Sequence, residues 1–128
     1  MKRLRVLIVD DSAVMRKIVE RCLRQAGLEL GEVSEAGNGA EALNLARQTV
    51  FDLILSDINM PTMDGLEFVR QLQTTENAGK VPVVMITTEG SESRVVEALS
   101  LGARGYIRKP FTPDQVKERV AALMEGVQ

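Results

Sequence analysis

The chain has 128 residues, enough for one domain around one core. Hydrophobic residues make up 45 %, charged residues 27 % and aromatic residues 3 %, so the expected core is aliphatic. The formal net charge is −2, and no run of five or six basic residues occurs, which argues against direct nucleic-acid binding. No apolar run approaches the roughly 18 residues of a membrane span. The opening MKRLRVLIVDD is too short in its apolar part for a signal peptide and ends in two aspartates, so a cytoplasmic protein is expected. Cys22 is the single cysteine, which excludes an internal disulfide; it falls on an apolar helical stripe and reads as a small buried hydrophobe. Histidine is absent, which removes zinc–histidine sites, catalytic triads and an internal phosphohistidine.

Strand and helix patterns alternate five times. Residues 4–9, LRVLIV, are nearly all apolar, as a strand buried on both faces requires. Ser12 is placed to cap a helix whose inward positions are Met15, Ile18, Val19, Cys22, Leu23 and Ala26, with Gly27 ending it. Val33–Ala36 is a short second strand. Asn38 and Glu41 form a capping-box pattern before Ala42, Leu43 and Ala46. Residues 52–56, DLILS, give the third strand, and Asp64 caps a helix carrying Leu66, Val69 and Leu72. Thr74–Lys80 is polar and reads as a loop. Residues 82–87, PVVMIT, form the fourth strand. Ser91 or Ser93 starts a helix with Val95, Ala98 and Leu99 inward, closed by Gly102. The fifth strand is 104–108. Thr112-Pro113-Asp114-Gln115 opens the last helix, which carries Val116, Val120, Leu123 and Val127. Such alternation implies an α/β domain over residues 1–128: a parallel sheet with helices on both faces and right-handed crossovers. The pattern itself leaves strand order open.

The chemistry gathers at strand ends. Asp10 and Asp11 follow the first strand, Asp57 the third and Lys109 the fifth. In a parallel sheet those ends share the edge where ligands bind. An acidic pair before a helix often serves only as a cap, but Asp57 lies too far from the helix near Asp64 to cap it. Three gathered carboxylates suit a hard divalent cation, and an all-oxygen set favours magnesium. Lys109 then offers a point charge for an anion such as a phosphoryl group, and Pro110 fixes the turn that aims it. Asp57 would be a carboxylate nucleophile toward phosphorus. The carbonyl of Asn59 is a further candidate ligand. Thr87 and Thr88 end the fourth strand, where a hydroxyl has a packing role and also reach toward a phosphoryl oxygen. Tyr106 is the single tyrosine and lies on the fifth strand.

These residues and the motifs VLIVDDS, DINMPTMDG and GYIRKPF resemble the receiver domains of two-component response regulators over essentially the whole chain. Within that family the chain is most similar to single-domain chemotaxis regulators of the CheY type. The resemblance implies a five-stranded parallel sheet in the order 2-1-3-4-5 flanked by five helices, the flavodoxin-like arrangement. It implies that Asp57 accepts a phosphoryl group from a phosphohistidine of a histidine kinase or phosphotransfer protein. Asp10, Asp11, Asp57 and the Asn59 carbonyl would hold Mg2+. Lys109 and Thr87 would contact the phosphoryl oxygens, Tyr106 would be the switch aromatic, and Asn59 and Glu89 would tune dephosphorylation. Lys109 is expected to contact Asp57 already at rest, so that phosphorylation biases an existing equilibrium. An output protein would dock on the face made by the fourth helix, fifth strand and fifth helix, and a monomer is the simplest state. Ile58 stands where many chemotaxis regulators carry tryptophan, and the docking face, with Gly90, Arg108, Arg119 and Ala122, need not match the one that binds the flagellar switch, which leaves motor binding open. An aspartyl phosphatase is the competing enzyme reading, and Asn59 stands where its acid/base aspartate belongs. A flavodoxin-like cofactor binder would want a glycine-rich loop where VDDSAVM stands. A receiver that forms the first part of a longer regulator also fits.

Overall fold

The computed structural model describes residues 3–75, 80–87 and 92–125, with side chains at all of these except 87, 124 and 125. Ten elements alternate: β1 (Leu4–Val9), α1 (Ala13–Gln25), β2 (Leu30–Ala36), α2 (Gly39–Gln48), β3 (Leu53–Asp57), α3 (Gly65–Leu72), β4 (Val83–Thr87), α4 (Glu92–Leu101), β5 (Gly105–Arg108) and α5 (Pro113–Glu125). All strand pairs are parallel, in the order β2-β1-β3-β4-β5. The expected architecture and order are therefore those found.

Alternate side chains of each strand feed two separate apolar layers, as a two-residue period demands. Val6, Ile8, Leu53, Leu55, Val84 and Ile86 pack under α1 and α5 with Val19, Leu23, Val116 and Val120. Leu7, Val9, Ile54, Val83 and Met85 face α2, α3 and α4 with Leu43, Phe68, Val69 and Ala98. Because β1, β3 and β4 are covered on both faces, their sequences are mostly apolar, with Arg5 near the start of β1 and Ser56 and Asp57 at the end of β3 as the main breaks. Cys22 joins the α1 layer, and burial pushes its thiol pKa up.

The capping residues act as their sequence positions suggest. Ser12 accepts from Met15 N–H, Asn38 from Glu41 N–H and Asp64 from Glu67 N–H. Thr112 and Gln115 exchange reciprocal bonds at the start of α5. Glu41 reaches back to Gly37 N–H, one residue before the cap. Gly27 and Gly102 follow α1 and α4 with φ of 91° and 126°, where a side chain would be strained.

Four expectations need correction. β2 begins at Leu30, because the exposed Glu32 and the half-buried Ser34 and Glu35 interrupt the apolar pattern of this edge strand. β3 lies one residue later than expected, over Leu53–Asp57, and Asp57 pairs with Ile86. Ile18 and Leu99 are 46 % and 40 % exposed, so the apolar stripes of α1 and α4 are wider than the surface the sheet covers. Ser93 lies inside α4, which starts at Glu92. Ser91, Val127 and residues 76–79 of the expected loop lie outside the described residues.

An acidic site at the carboxyl edge of the sheet

Two parallel strands, β1 and β3, run side by side with Val9 opposite Ser56. Their next residues, Asp10 and Asp57, therefore leave the sheet together on the same edge. Asp11 follows in the turn to α1. Ligand oxygens of Asp10, Asp11 and Asp57 all lie within 4.8 Å of one another. Asp10 is buried, Asp11 is exposed and the Asp57 side chain is 13 % exposed.

Local bonds orient these carboxylates. Asp10 Oδ1 accepts from Ser12 N–H at 2.9 Å, so the start of α1 holds one of its oxygens. Asp57 Oδ1 accepts from Ile58 N–H at 2.8 Å. The other oxygen of each faces Lys109, whose Nζ lies 3.3 Å from Asp10 Oδ2 and 3.5 Å from Asp57 Oδ2. Lys109 thus touches Asp57 at rest, as expected. It leaves β5 through a cis peptide bond to Pro110, and its side chain is 17 % exposed.

Burial is the main reason that the Asp57 carboxyl pKa is raised from its ordinary value. Asp10 pushes in the same direction, whereas Lys109 and the Ile58 N–H favour the charged form. Within the cluster, three carboxylates and one ammonium leave two uncompensated negative charges when all are ionised. A divalent cation matches that charge, and its preference for hard oxygen donors matches the set.

Asn59 follows Ile58, which is fully buried and anchors the loop leaving β3. Its side chain is exposed, and Oδ1 accepts from Arg94 of α4 at 2.8 Å. Thr87 is placed by its backbone as the last residue of β4, opposite Arg108 on β5. Glu89 and Thr88 lie outside the described residues. Tyr106 is half-buried against the α2–α4 layer, with the Arg119 guanidinium 5.6 Å from its ring centroid. An open groove beside it is lined by Tyr106, Arg108, Lys109, Pro110, Gln115 and Arg119. Lys109 therefore lines both this groove and the acidic site.

Two arginines in the surroundings were not singled out from the sequence. Arg16 of α1 donates to the Asp10 carbonyl at 2.6 Å and to Glu35 at 2.8 Å, tying the ends of β1 and β2. Arg94 joins Asn59 to Asp64. All but the Arg16 contact with Asp10 join residues 19 or more apart, so only a weak signal existed: an arginine near the carboxyl edge of an acidic site.

The sheet order and the helical layers agree with what a family comparison finds. A profile described as "Response regulator receiver domain" matches residues 6–121, and the chain belongs to that family. Chemotaxis protein CheY-3 of Vibrio cholerae is 37 % identical over 124 residues, covering 97 % of this chain and 94 % of the relative. Chemotaxis protein CheY of Pseudomonas aeruginosa is 36 % identical, covering 97 % and 98 %. The solved structure of Vibrio cholerae CheY4 superposes with a TM-score of 0.79 at 38 % identity, over 99 % of this chain and 100 % of that one. The receiver domain of sensor histidine kinase PA1611 from Pseudomonas aeruginosa has a TM-score of 0.83 at 25 % identity, covering 97 % and 99 %; that structure holds a magnesium ion in its active-site cleft. The chain is thus a CheY-type receiver of two-component signalling. Among the described residues, no helix is long and apolar enough to cross a membrane.

Proposed function

We propose that the chain, as a single receiver domain over residues 1–128, accepts a phosphoryl group on Asp57 from the phosphohistidine of a histidine kinase or phosphotransfer protein. The observation that carries this reading is the joint approach of Lys109 Nζ to Asp10 and Asp57 inside a cluster of three carboxylates. Asp10, Asp11 and Asp57, with the Asn59 carbonyl, would hold Mg2+. The bound ion supplies charge screening between the carboxylates and an approaching phosphoryl group.

An oxygen of the ionised Asp57 carboxylate forms the new bond to phosphorus. The bond from phosphorus to the donor nitrogen breaks, and its electron pair stays on the donor imidazole. Lys109 offsets charge on the phosphoryl oxygens, and the Thr87 hydroxyl is their second donor. The protein promotes only its own phosphorylation and hydrolysis and turns over no separate substrate.

The transferred group carries about −1.5 to −2 charge at neutral pH. Lys109 is already engaged at rest, so only part of its interaction is new. A charge-assisted hydrogen bond contributes about 1.5–3 kcal/mol, and moving an equilibrium from 1:99 to 99:1 takes about 5.5 kcal/mol. Phosphorylation therefore biases a state that the resting protein already samples. The response passes to Tyr106 and to the surface of α4, β5 and α5, where an output protein docks. Asn59 and Glu89 set how long the group persists. The protein acts as a cytoplasmic monomer without direct contact to nucleic acid.

Intact mass after incubation with acetyl phosphate and magnesium tests the acceptor. One phosphoryl addition is expected, dependent on magnesium and absent in Asp57→Asn. Addition to Asp57→Asn at the wild-type level would move the acceptor elsewhere. No addition from acetyl phosphate or from a panel of phosphohistidine donors would leave a binding module that works without phosphorylation.

A further inference from the structure

Resting on that reading of Asp57, we propose that Arg94 of α4 is a positioning residue that lengthens the life of the phosphoryl group by occupying the side-chain oxygen of Asn59. Arg94 donates to Asn59 Oδ1 at 2.8 Å and to Asp64 Oδ2 at 3.0 Å. A guanidinium has donors only, so the Asn59 atom that faces it is the carbonyl oxygen. Asp64 is itself fixed, because its Oδ1 caps α3 through Glu67 N–H at 2.9 Å. Arg94 is thus held at one end by a helix N-terminus and at the other by Asn59.

Asn59 stands two residues after Asp57 and is exposed to solvent. In hydrolysis, a water oxygen bonds to phosphorus while the bond from phosphorus to the Asp57 oxygen breaks. The electron pair returns to the carboxylate, a water proton passes to solvent, and inorganic phosphate leaves. An amide oxygen near Asp57 promotes this step by accepting a proton of the water and aiming its lone pair at phosphorus. The Asn59 oxygen is turned to a cation instead. The guanidinium takes one of its two lone pairs and draws electron density from the other, so the water meets a weaker acceptor. Arg94 therefore acts on the reaction through Asn59, without touching the reacting atoms.

The experiment follows loss of the phosphoryl group by intact mass after the donor is removed. It compares the wild type, Arg94→Met, Asn59→Ala and the double variant, each checked for fold by circular dichroism. Arg94→Met is expected to shorten the lifetime about two- to tenfold, the range of one hydrogen bond's net contribution expressed as a rate. The same substitution in the Asn59→Ala background is expected to change nothing. Asp64→Asn keeps a cap oxygen for α3 and removes the anionic anchor; it should shift the lifetime in the same direction. In the unphosphorylated protein, Arg94→Met should also move the NMR signals of the Asn59 side-chain amide.

An unchanged or longer lifetime in Arg94→Met overturns the proposal. Equal acceleration in both backgrounds does so too, since it would show an effect that bypasses Asn59. Unmoved amide signals would show that the contact is not made. A wild type that never gains the group overturns the acceptor reading and this inference with it. A wild type that gains the group, beside an Arg94→Met variant that keeps it as long, overturns this inference alone.

Discussion

At Asp57, burial and the Asp10 carboxylate favour the protonated form, while Lys109 and the Ile58 N–H favour the charged one. The net direction is upward, with burial the largest cause. A carboxyl whose proton affinity rises on folding binds more protons in the native state than in the unfolded one across the window between the two pKa values. Its stabilising contribution is then complete below the unfolded pKa and is lost as pH rises through the folded one. At neutral pH the ionised Asp57 therefore strains the native state. In the absence of magnesium, Asp57→Asn is expected to raise the melting temperature near pH 7, by a few degrees at most. The gain should shrink as pH falls below the ordinary carboxylate range, where wild-type Asp57 is protonated in both states. Thermal melts of the two proteins across pH 3–8, covering the carboxylate range, test this. A pH-independent difference would show that the strain at this residue is not electrostatic.

At the scale of elements, the close approach between the end of β3 and the start of α3 sets where Asp57 lies. Gly65 N–H donates to the Ile58 carbonyl at 2.7 Å. A Cβ on Gly65 would overlap the Asp57 carbonyl oxygen and stand 2.9 Å from Ile58 Cα. These are backbone atoms of a strand end held in the sheet, so the helix must move away. Gly65→Ala is expected to cost about 1–3 kcal/mol of stability and to slow phosphoryl uptake, read by chemical denaturation and by intact mass. A wild-type melt and rate would mean that α3 adjusts freely. This demand on Gly65 was not legible in the sequence, where it was only the first residue after the Asp64 cap. Asp10, Asp11 and Asp57 were legible because they follow apolar runs that read as buried strands, and Lys109 because it follows the short strand signal GYIR; parallel strands end on one edge. The reciprocal cap at Thr112 and Gln115 was legible because its signal lies within one turn. Arg94 was not, since its partners lie 35 and 30 residues away. The two stripe positions misread as inward, Ile18 and Leu99, show the limit of periodicity. It defines a helix face without saying how much of that face the sheet covers.

At the scale of the molecule, Lys109 ties three strands together, since its side chain carries β5 to the ends of β1 and β3. It also competes with any cation at the acidic edge. Removing it has two opposed consequences. Lys109→Met keeps much of the aliphatic stem but leaves three carboxylates within 4.8 Å of one another without their ammonium partner. The buried oxygens of Asp10 and Asp57 then lack a donor, which is expected to cost about 1–3 kcal/mol in magnesium-free buffer. A divalent cation entering the same cluster no longer meets a positive neighbour, so magnesium should bind the variant more tightly than the wild type. If the repulsion removed is about 1.4 kcal/mol, the gain is roughly tenfold in affinity. Ligand binding to the native state raises stability by RT ln(1 + [L]/Kd), so magnesium should recover more of the variant's melting temperature than it adds to the wild type. Melts over a magnesium titration, with calorimetry for the affinity, separate the two effects. A variant that is less stable and also binds magnesium no more tightly would show that Lys109 shapes the edge sterically and that its charge is screened there. A variant that gains affinity and still takes up a phosphoryl group would separate two duties of the same side chain: balancing the acidic edge at rest, and carrying the arrival of the new charge to β5 and Tyr106 beside it.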